Sequence, residues 1–309
     1  MGEFMGNLSS RKKSLMSDVS LLFVAAVWGG GFVAVKDALN TITPMYLMAF
    51  RFVLAAIFLY VFLFKWIGKL SKDDMKKGSV VGGFLFLAFA AQTYGLQYTT
   101  ASKQGFLTAV YVVVVPLLYW LLYKRQPGIK AFVGSFLTII GIGLISLEGS
   151  LSLNLGDMLT LLCAVLFAAH IISIEYFAKD MNTVKLAFVQ ISVAAVLCVV
   201  TALLTEPMPA AVSGRAWLAI VYLAFFSTFA CFTVQTIAQK YTSSSHASII
   251  MSLESVFAAV LGVAILGEVM SVKMIIGSAI IFSAILIVEV DFKFLTKKSV
   301  KVSSISEKV

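Results

Sequence analysis

Apolar runs of about twenty residues, each long enough to cross a hydrocarbon layer as a helix, follow one another along almost the whole chain. Ten can be marked off: 18–37, 44–65, 77–97, 103–123, 130–148, 157–178, 184–205, 215–238, 245–266 and 271–290. The polar joins between them are short and carry turn chemistry, as in Asn40 to Pro44, Lys69 to Lys77, Gln126-Pro127-Gly128 and Glu206-Pro207-Met208-Pro209. Residues 291–309 are basic and Ser-rich and read as a disordered tail. The pattern predicts an all-α integral membrane protein of ten transmembrane helices, with no stretch left for a separate soluble domain.

The runs are also written twice. Moved forward by 143 positions, Tyr98-Thr99 falls on Tyr241-Thr242, Ser102 on Ser245, and Lys130 through Ser135 on Lys273 through Ser278. The same shift carries Gln92-Thr93 onto Gln235-Thr236, while earlier in the chain a shift of 139 lays Trp28 through Gly31 on Phe167 through His170, and Arg51 on Gln190. The chain is therefore a duplication, with a first repeat at 17–148 (helices one to five) and a second at 155–290 (helices six to ten). Residues 1–16 read as a tag remnant, Met1 to Phe4, followed by a cytoplasmic N-terminus.

Composition agrees with the bilayer as solvent: 60% of residues are hydrophobic and 13% charged, against about a quarter charged in a soluble domain. The net charge of +9 does not point to nucleic acid, because the basic residues sit at the ends of apolar runs. Nineteen of the 24 lysines and arginines fall on one set of ends. Lys36, Lys103, Arg215 and Lys273 fall on the other, and Arg51 lies inside a helix. The positive-inside rule then puts both termini in the cytoplasm. Each repeat has five helices, an odd number, so the second enters the membrane from the opposite side. Two inverted five-helix repeats are the architecture of many secondary transporters, whose site lies near the midplane between the repeats. On that reading helices one, three and four meet six, eight and nine around one central cavity, and five and ten lie outside.

Trp28-Gly29-Gly30-Gly31-Phe32-Val33-Ala34-Val35-Lys36 resembles the first-helix signature of the drug/metabolite transporter superfamily, in its ten-helix EamA-type branch. Arg51 in Ala49-Phe50-Arg51-Phe52 looks like that family's second-helix arginine, and Ser252 through Ala259 with Leu266-Gly267-Glu268 is similar to its ninth-helix signature. The family usually has Pro after the glutamate; Ser255 stands here instead, so no proline break is expected in helix nine. The resemblance covers nearly the whole chain. It implies a multi-pass permease of the cell membrane, moving small organic metabolites such as amino acids, with export the direction favoured.

Polar side chains inside a span are costly, roughly 2.5–3.5 kcal/mol when charged, and are functional candidates by default. Glu254 and its repeat partner Tyr111 fall near the midplane. One reading puts Glu254 in the substrate pathway, with protons as the coupling ion; the other makes it a neutral carboxyl bonding a helix. His170 falls opposite Gly31 in the repeat, next to room on one wall, or is bonded to a backbone carbonyl. Gln92 and Gln235 form a symmetric pair, and Tyr94 shares a helix with Gln92. Trp28, mid-helix and away from the interfacial belt, is an aromatic wall or a packing residue. These seven are the candidate substrate-binding residues. Lys36 and Arg51 are candidates for the outer mouth, where Arg51 snorkels outward, pairs with Glu148 or Asp37, or binds an anion.

No enzyme motif is present: there is no GxSxG elbow, HExxH or phosphate-binding loop. Two histidines without clustered acids give no metal-site spacing, and no cofactor is implied. The alternatives to a transporter are a channel or a non-transporting membrane scaffold, and less readily an enzyme acting on lipids.

Overall fold

A computed structural model describes residues 10–124, 129–146 and 154–289. Residues 1–9, Arg125, the expected turn at 126–128, Glu148 and the basic stretch from 290 lie outside the described residues. What is described is helical, with no strand. In chain order the helices are α1 (Ser10–Ala38), α2 (Pro44–Ile67), α3 (Lys72–Leu96), α4 (Ala101–Tyr123), α5 (Ile129–Ser146), α6 (Leu155–Ala178), α7 (Thr183–Thr205), α8 (Gly214–Ala238), α9 (Ser244–Leu266) and α10 (Val272–Glu289). Among the described residues eight are long and apolar enough to cross a membrane, the exceptions being α5 and α10.

Local chemistry sets the boundaries. Pro44 opens α2 from the first turn, where its missing N–H costs nothing. Ser71 and Asp74 form a reciprocal capping box at the start of α3. The duplication reappears in the caps of α4 and α9. Thr100 and Ser243 are repeat mates, and each hydroxyl accepts the backbone N–H three residues on, from Lys103 at 3.1 Å and His246 at 3.3 Å. The same two helices end on left-handed residues that are again repeat mates, Lys124 at φ 56° and Gly267 at φ 66°.

Neither α4 nor α9 is continuous. α4 breaks at Ala109–Val110 and resumes at Tyr111; α9 breaks at Leu253 and resumes at Glu254. Backbone bonds tighten to three residues at each break, as in Val113 to Val110 (2.9 Å) and Val256 to Leu253 (3.0 Å). α9 is interrupted even though Ser255 stands where the family usually has proline. Ser252 donates to the carbonyl of Ile249 (2.7 Å) and Ser255 to that of Ser252 (2.8 Å), so hydroxyls compete for the carbonyls that hold the helix. α8 carries a third irregularity, a π-helical stretch at Leu223–Ala230.

Packing between the repeats is reciprocal. Gly29 of α1 lies so close to α9 that a β-carbon would stand 2.3 Å from Phe257 Cβ; the mate of that contact sets α6 on α4, where Gln104 Nε2 donates to Thr160 Oγ1 at 3.2 Å. α3 meets α7 at Gly78 and Gly82, and α8 meets α2 through Phe58 and Phe225, rings 5.3 Å apart. α5 and α10 pack on each other, Gly141 against the Gly277 carbonyl.

Candidate functional site

At the meeting of these helices lies a cavity. Its walls come from α1 (Trp28, Gly31, Phe32, Val35), α3 (Phe89, Gln92, Thr93, Leu96), α4 (Tyr111), α6 (Phe167, His170, Ile171), α8 (Ser227, Phe232, Gln235) and α9 (Glu254), with Arg51 contributed by α2. α5 and α10 supply none of these lining residues.

Arg51 is 3% exposed. Its Nε donates to Thr228 Oγ1 at 2.6 Å and its Nη2 to Ser227 Oγ at 3.0 Å. The guanidinium carbon stands 4.4 Å from the centroid of the Phe89 ring. Both hydroxyls belong to the π-helical stretch of α8, and π turns collect at functional sites. The indole of Trp28 also reads that stretch, donating from Nε1 to the Ser227 carbonyl at 2.8 Å while packing on Phe232 at 5.1 Å. Arg51 does not snorkel; Asp37 is taken by Arg215 at 2.7 Å, and among the described residues no carboxylate lies within ion-pair distance of Arg51. The other expected partner, Glu148, lies outside the described residues.

His170 is fully buried, and its Nε2 meets Gln190 Oε1 at 2.8 Å. Gln190 Nε2 donates in turn to Thr236 Oγ1 at 2.9 Å, so Gln190 Oε1 is the acceptor and Nε2 carries the proton. That leaves Nδ1 a bare acceptor, and it has no hydrogen-bond partner among the described residues. The partner is thus a side chain rather than the backbone carbonyl that was the alternative. Gln235 Oε1 and Tyr111 Oη are likewise buried without a hydrogen bond. Tyr111 and Glu254, the first residues after the two helix breaks, lie within electrostatic reach of one another, yet the phenol does not reach hydrogen-bonding geometry. Gln92 lines the same cavity and makes a long 3.5 Å contact to Thr108 Oγ1.

Two expected residues stand elsewhere than expected, Tyr94 out of this cavity and Lys36 off the outer mouth. Tyr94 donates to Glu206 Oε1 at 2.8 Å. Lys36 gives its ammonium to the carbonyls of Leu96 (2.8 Å) and Thr99 (2.6 Å), fastening the link between α3 and α4 rather than standing free at a mouth. Sequence reasoning missed Ser227, Thr228 and Gln190. The signal for Gln190 was present, since the repeat lays Arg51 upon it: both repeats send a polar side chain from the second helix of the five into α8.

A profile of the EamA-like transporter family matches the chain twice, at residues 15–147 and 154–290. An uncharacterized transporter of Archaeoglobus fulgidus is 36% identical over 276 residues, spanning 89% of this chain and 86% of the relative. The uncharacterized inner membrane transporter YedA of Escherichia coli is 24% identical over 277 residues, 87% of this chain and 89% of the other. A solved crystal structure superposes with a TM-score of 0.66 over 90% of this chain and 96% of its own, at 16% identity, which speaks to fold alone. With two matches that together span nearly all of its apolar sequence, this multi-pass protein of the cell membrane belongs to the EamA-like transporter family.

Proposed function

We propose that the protein is a secondary transporter that exports small organic metabolites, amino acids among them, by alternating access at the cavity between its repeats. The observation that carries this reading is the make-up of the cavity wall: both repeats contribute, and a buried guanidinium and a carboxyl stand there with no ion-pair partner among the described residues. Ionisable groups left unpaired at membrane depth mark pathways. Aromatic faces of Trp28, Phe89, Phe167 and Phe232 give the ligand an apolar seat, and the unpaired polar atoms give it orientation.

In this reading all ten helices span the bilayer as two inverted repeats with cytoplasmic termini, following the distribution of lysine and arginine. The breaks before Tyr111 and Glu254 are the bending points, as discontinuous helices are in other inverted-repeat transporters. Trp28, Gln92, Tyr111, His170, Gln235 and Glu254 contact the substrate, and Glu254 exchanges the coupling proton. Substrate-dependent counterflow in proteoliposomes tests it. External substrate should accelerate release of the labelled internal substrate; flux without such stimulation indicates a channel, and no flux indicates a scaffold.

A further inference from the structure

We infer that two side-chain pairs, Lys103 with Asp157 and His246 with Asp18, are the gate latches of the transporter, one at each end of the cavity. The inference rests on the reading of the chain as an alternating-access transporter and assigns its two gates to named residues.

The two pairs are one contact written twice. The shift of 139 carries Asp18 onto Asp157, and the shift of 143 carries Lys103 onto His246. Each pair closes at 3.0 Å, so the duplication has kept the acid, its basic partner and the distance between them. Lys103 lies in the first turn of α4 and His246 in that of α9, while Asp157 lies in the first turn of α6 and Asp18 near the start of α1. A carboxylate only accepts, so His246 Nε2 carries the proton toward Asp18 whether the ring is neutral or charged.

Each of these contacts joins a helix of one repeat to a helix of the other. With the repeats inverted, the Lys103 pair lies at the outer end and the His246 pair at the cytoplasmic end. Other ties at the same turns stay within a repeat. Lys36 of α1 fastens the link between α3 and α4. Glu175 of α6, its mate under the shift of 139, accepts the Ser244 N–H of α9 at 2.8 Å. Such ties travel with their repeat when the repeats rock. A pair of gates needs contacts that cross between the repeats and occur at both ends, and the two latches meet both conditions. Glu268 reinforces the outer one, accepting the N–H groups of Ala101 and Ser102 just before Lys103.

The latches differ in how wet they are. The Asp157 side chain is 0% exposed and that of Lys103 12%, and Asp157 Oδ1 is buried without a hydrogen bond among the described residues. The side chains of Asp18 and His246 are 30% and 39% exposed. Removing one partner of a dry pair strands the other charge while the end is shut, and opening returns that charge to water. Loss of the Asp157 charge should therefore drive the outer end open. The wet pair is already screened, so the same change at Asp18 should loosen the cytoplasmic end less.

The test reads access to the cavity from each side. Ile171, on the cavity wall, is replaced by cysteine, and a membrane-impermeant maleimide is added to one face of oriented vesicles. Labelling is read at that site by mass spectrometry, and Val35→Cys gives a second reporter on the same wall. Asp157→Asn should speed labelling from the outer face by about a hundredfold or more, with no gain from the cytoplasmic face. Asp18→Asn should speed labelling from the cytoplasmic face by about two- to fivefold, with no gain from the outer face. A pair that merely steadied its own helix ends would not expose the cavity wall to one side alone. If Asp157→Asn does not fold, Asp18→Asn at the half-exposed pair decides. Labelling that rises from both faces, from neither, or from the opposite face overturns the inference. Counterflow judges the transporter reading separately. Exchange with unsided labelling removes the latches and keeps that reading, whereas sided labelling without exchange of any solute keeps the latches and removes it.

Discussion

Glu206 takes hold of Met45 from the other repeat: its two carboxylate oxygens accept the Met45 backbone N–H at 3.1 and 3.0 Å. The Tyr46 N–H at 3.3 Å and the Tyr94 hydroxyl at 2.8 Å complete the set. Glu206 belongs to the link between α7 and α8, while Met45 and Tyr46 open α2. A carboxylate there satisfies orphan donors at a helix N-terminus and lies at the favourable end of the helix dipole. Glu268 does the same for α4, accepting Ala101 N at 2.7 Å and Ser102 N at 2.9 Å. Both acids come from the second repeat and hold helices of the first.

Replacing Glu206 with Ala should therefore lower stability by about 2 kcal/mol, the range for a hydrogen-bonded charge. Tyr94→Phe, which removes one of the three donor groups, should cost about 1 kcal/mol. Thermal unfolding in detergent reads both, and equal effects from the two substitutions would show that the backbone N–H groups contribute nothing.

Thr228→Val keeps the shape of the side chain and removes the acceptor for Arg51 Nε. Leaving a buried guanidinium short of a partner should cost about 1.5–3 kcal/mol. Ser283→Ala removes an exposed hydroxyl bonded only to the Ala279 carbonyl of its own helix and should leave the melting temperature unchanged. Similar shifts in both variants would remove the case for a special Arg51–Thr228 bond.

Gly29→Ala should be among the most damaging single-atom additions, because the new carbon would lie 2.3 Å from Phe257 Cβ and 2.9 Å from the Ala258 nitrogen. Overpacking of this kind costs about 1–3 kcal/mol or more. Gly83→Ala meets nothing within 4 Å and should be neutral or stabilising by up to about 1 kcal/mol, as Ala exceeds Gly in a helix. Folded yield and melting temperature of the pair check the close approach of α1 and α9.

Glu254→Gln tests the proton. If Glu254 carries the coupling ion, exchange by the wild type varies between acidic and alkaline buffer and exchange by the variant does not. Matching pH profiles for the two proteins would leave Glu254 a helix-bonding carboxyl.

The helices and the duplication were legible because apolar length and spacing write them directly. Side-chain direction was not. Gln92 lines the cavity while Tyr94, in the same helix, reaches Glu206, because residues two apart on a helix do not share a face. Val35 lines it while Lys36 turns to two carbonyls for the same reason. The partner of Arg51 was missed because an acid was sought where the fold supplies hydroxyls of a π-helical stretch, and no sequence period announces that stretch. The break in α9 was missed because proline is the familiar cause, whereas Ser252 and Ser255 act by drawing carbonyls out of the ladder.

The breaks before Tyr111 and Glu254 put unlike residues at one symmetric point. Two identical chains, each carrying one repeat, would be bound to place two phenols there, or two carboxyls. Joining the repeats in one polypeptide frees the two positions to diverge, and here only one of them is an acid. The described cavity wall thus holds a single titratable carboxyl, and if that acid exchanges a cation it can hand over no more than one per cycle.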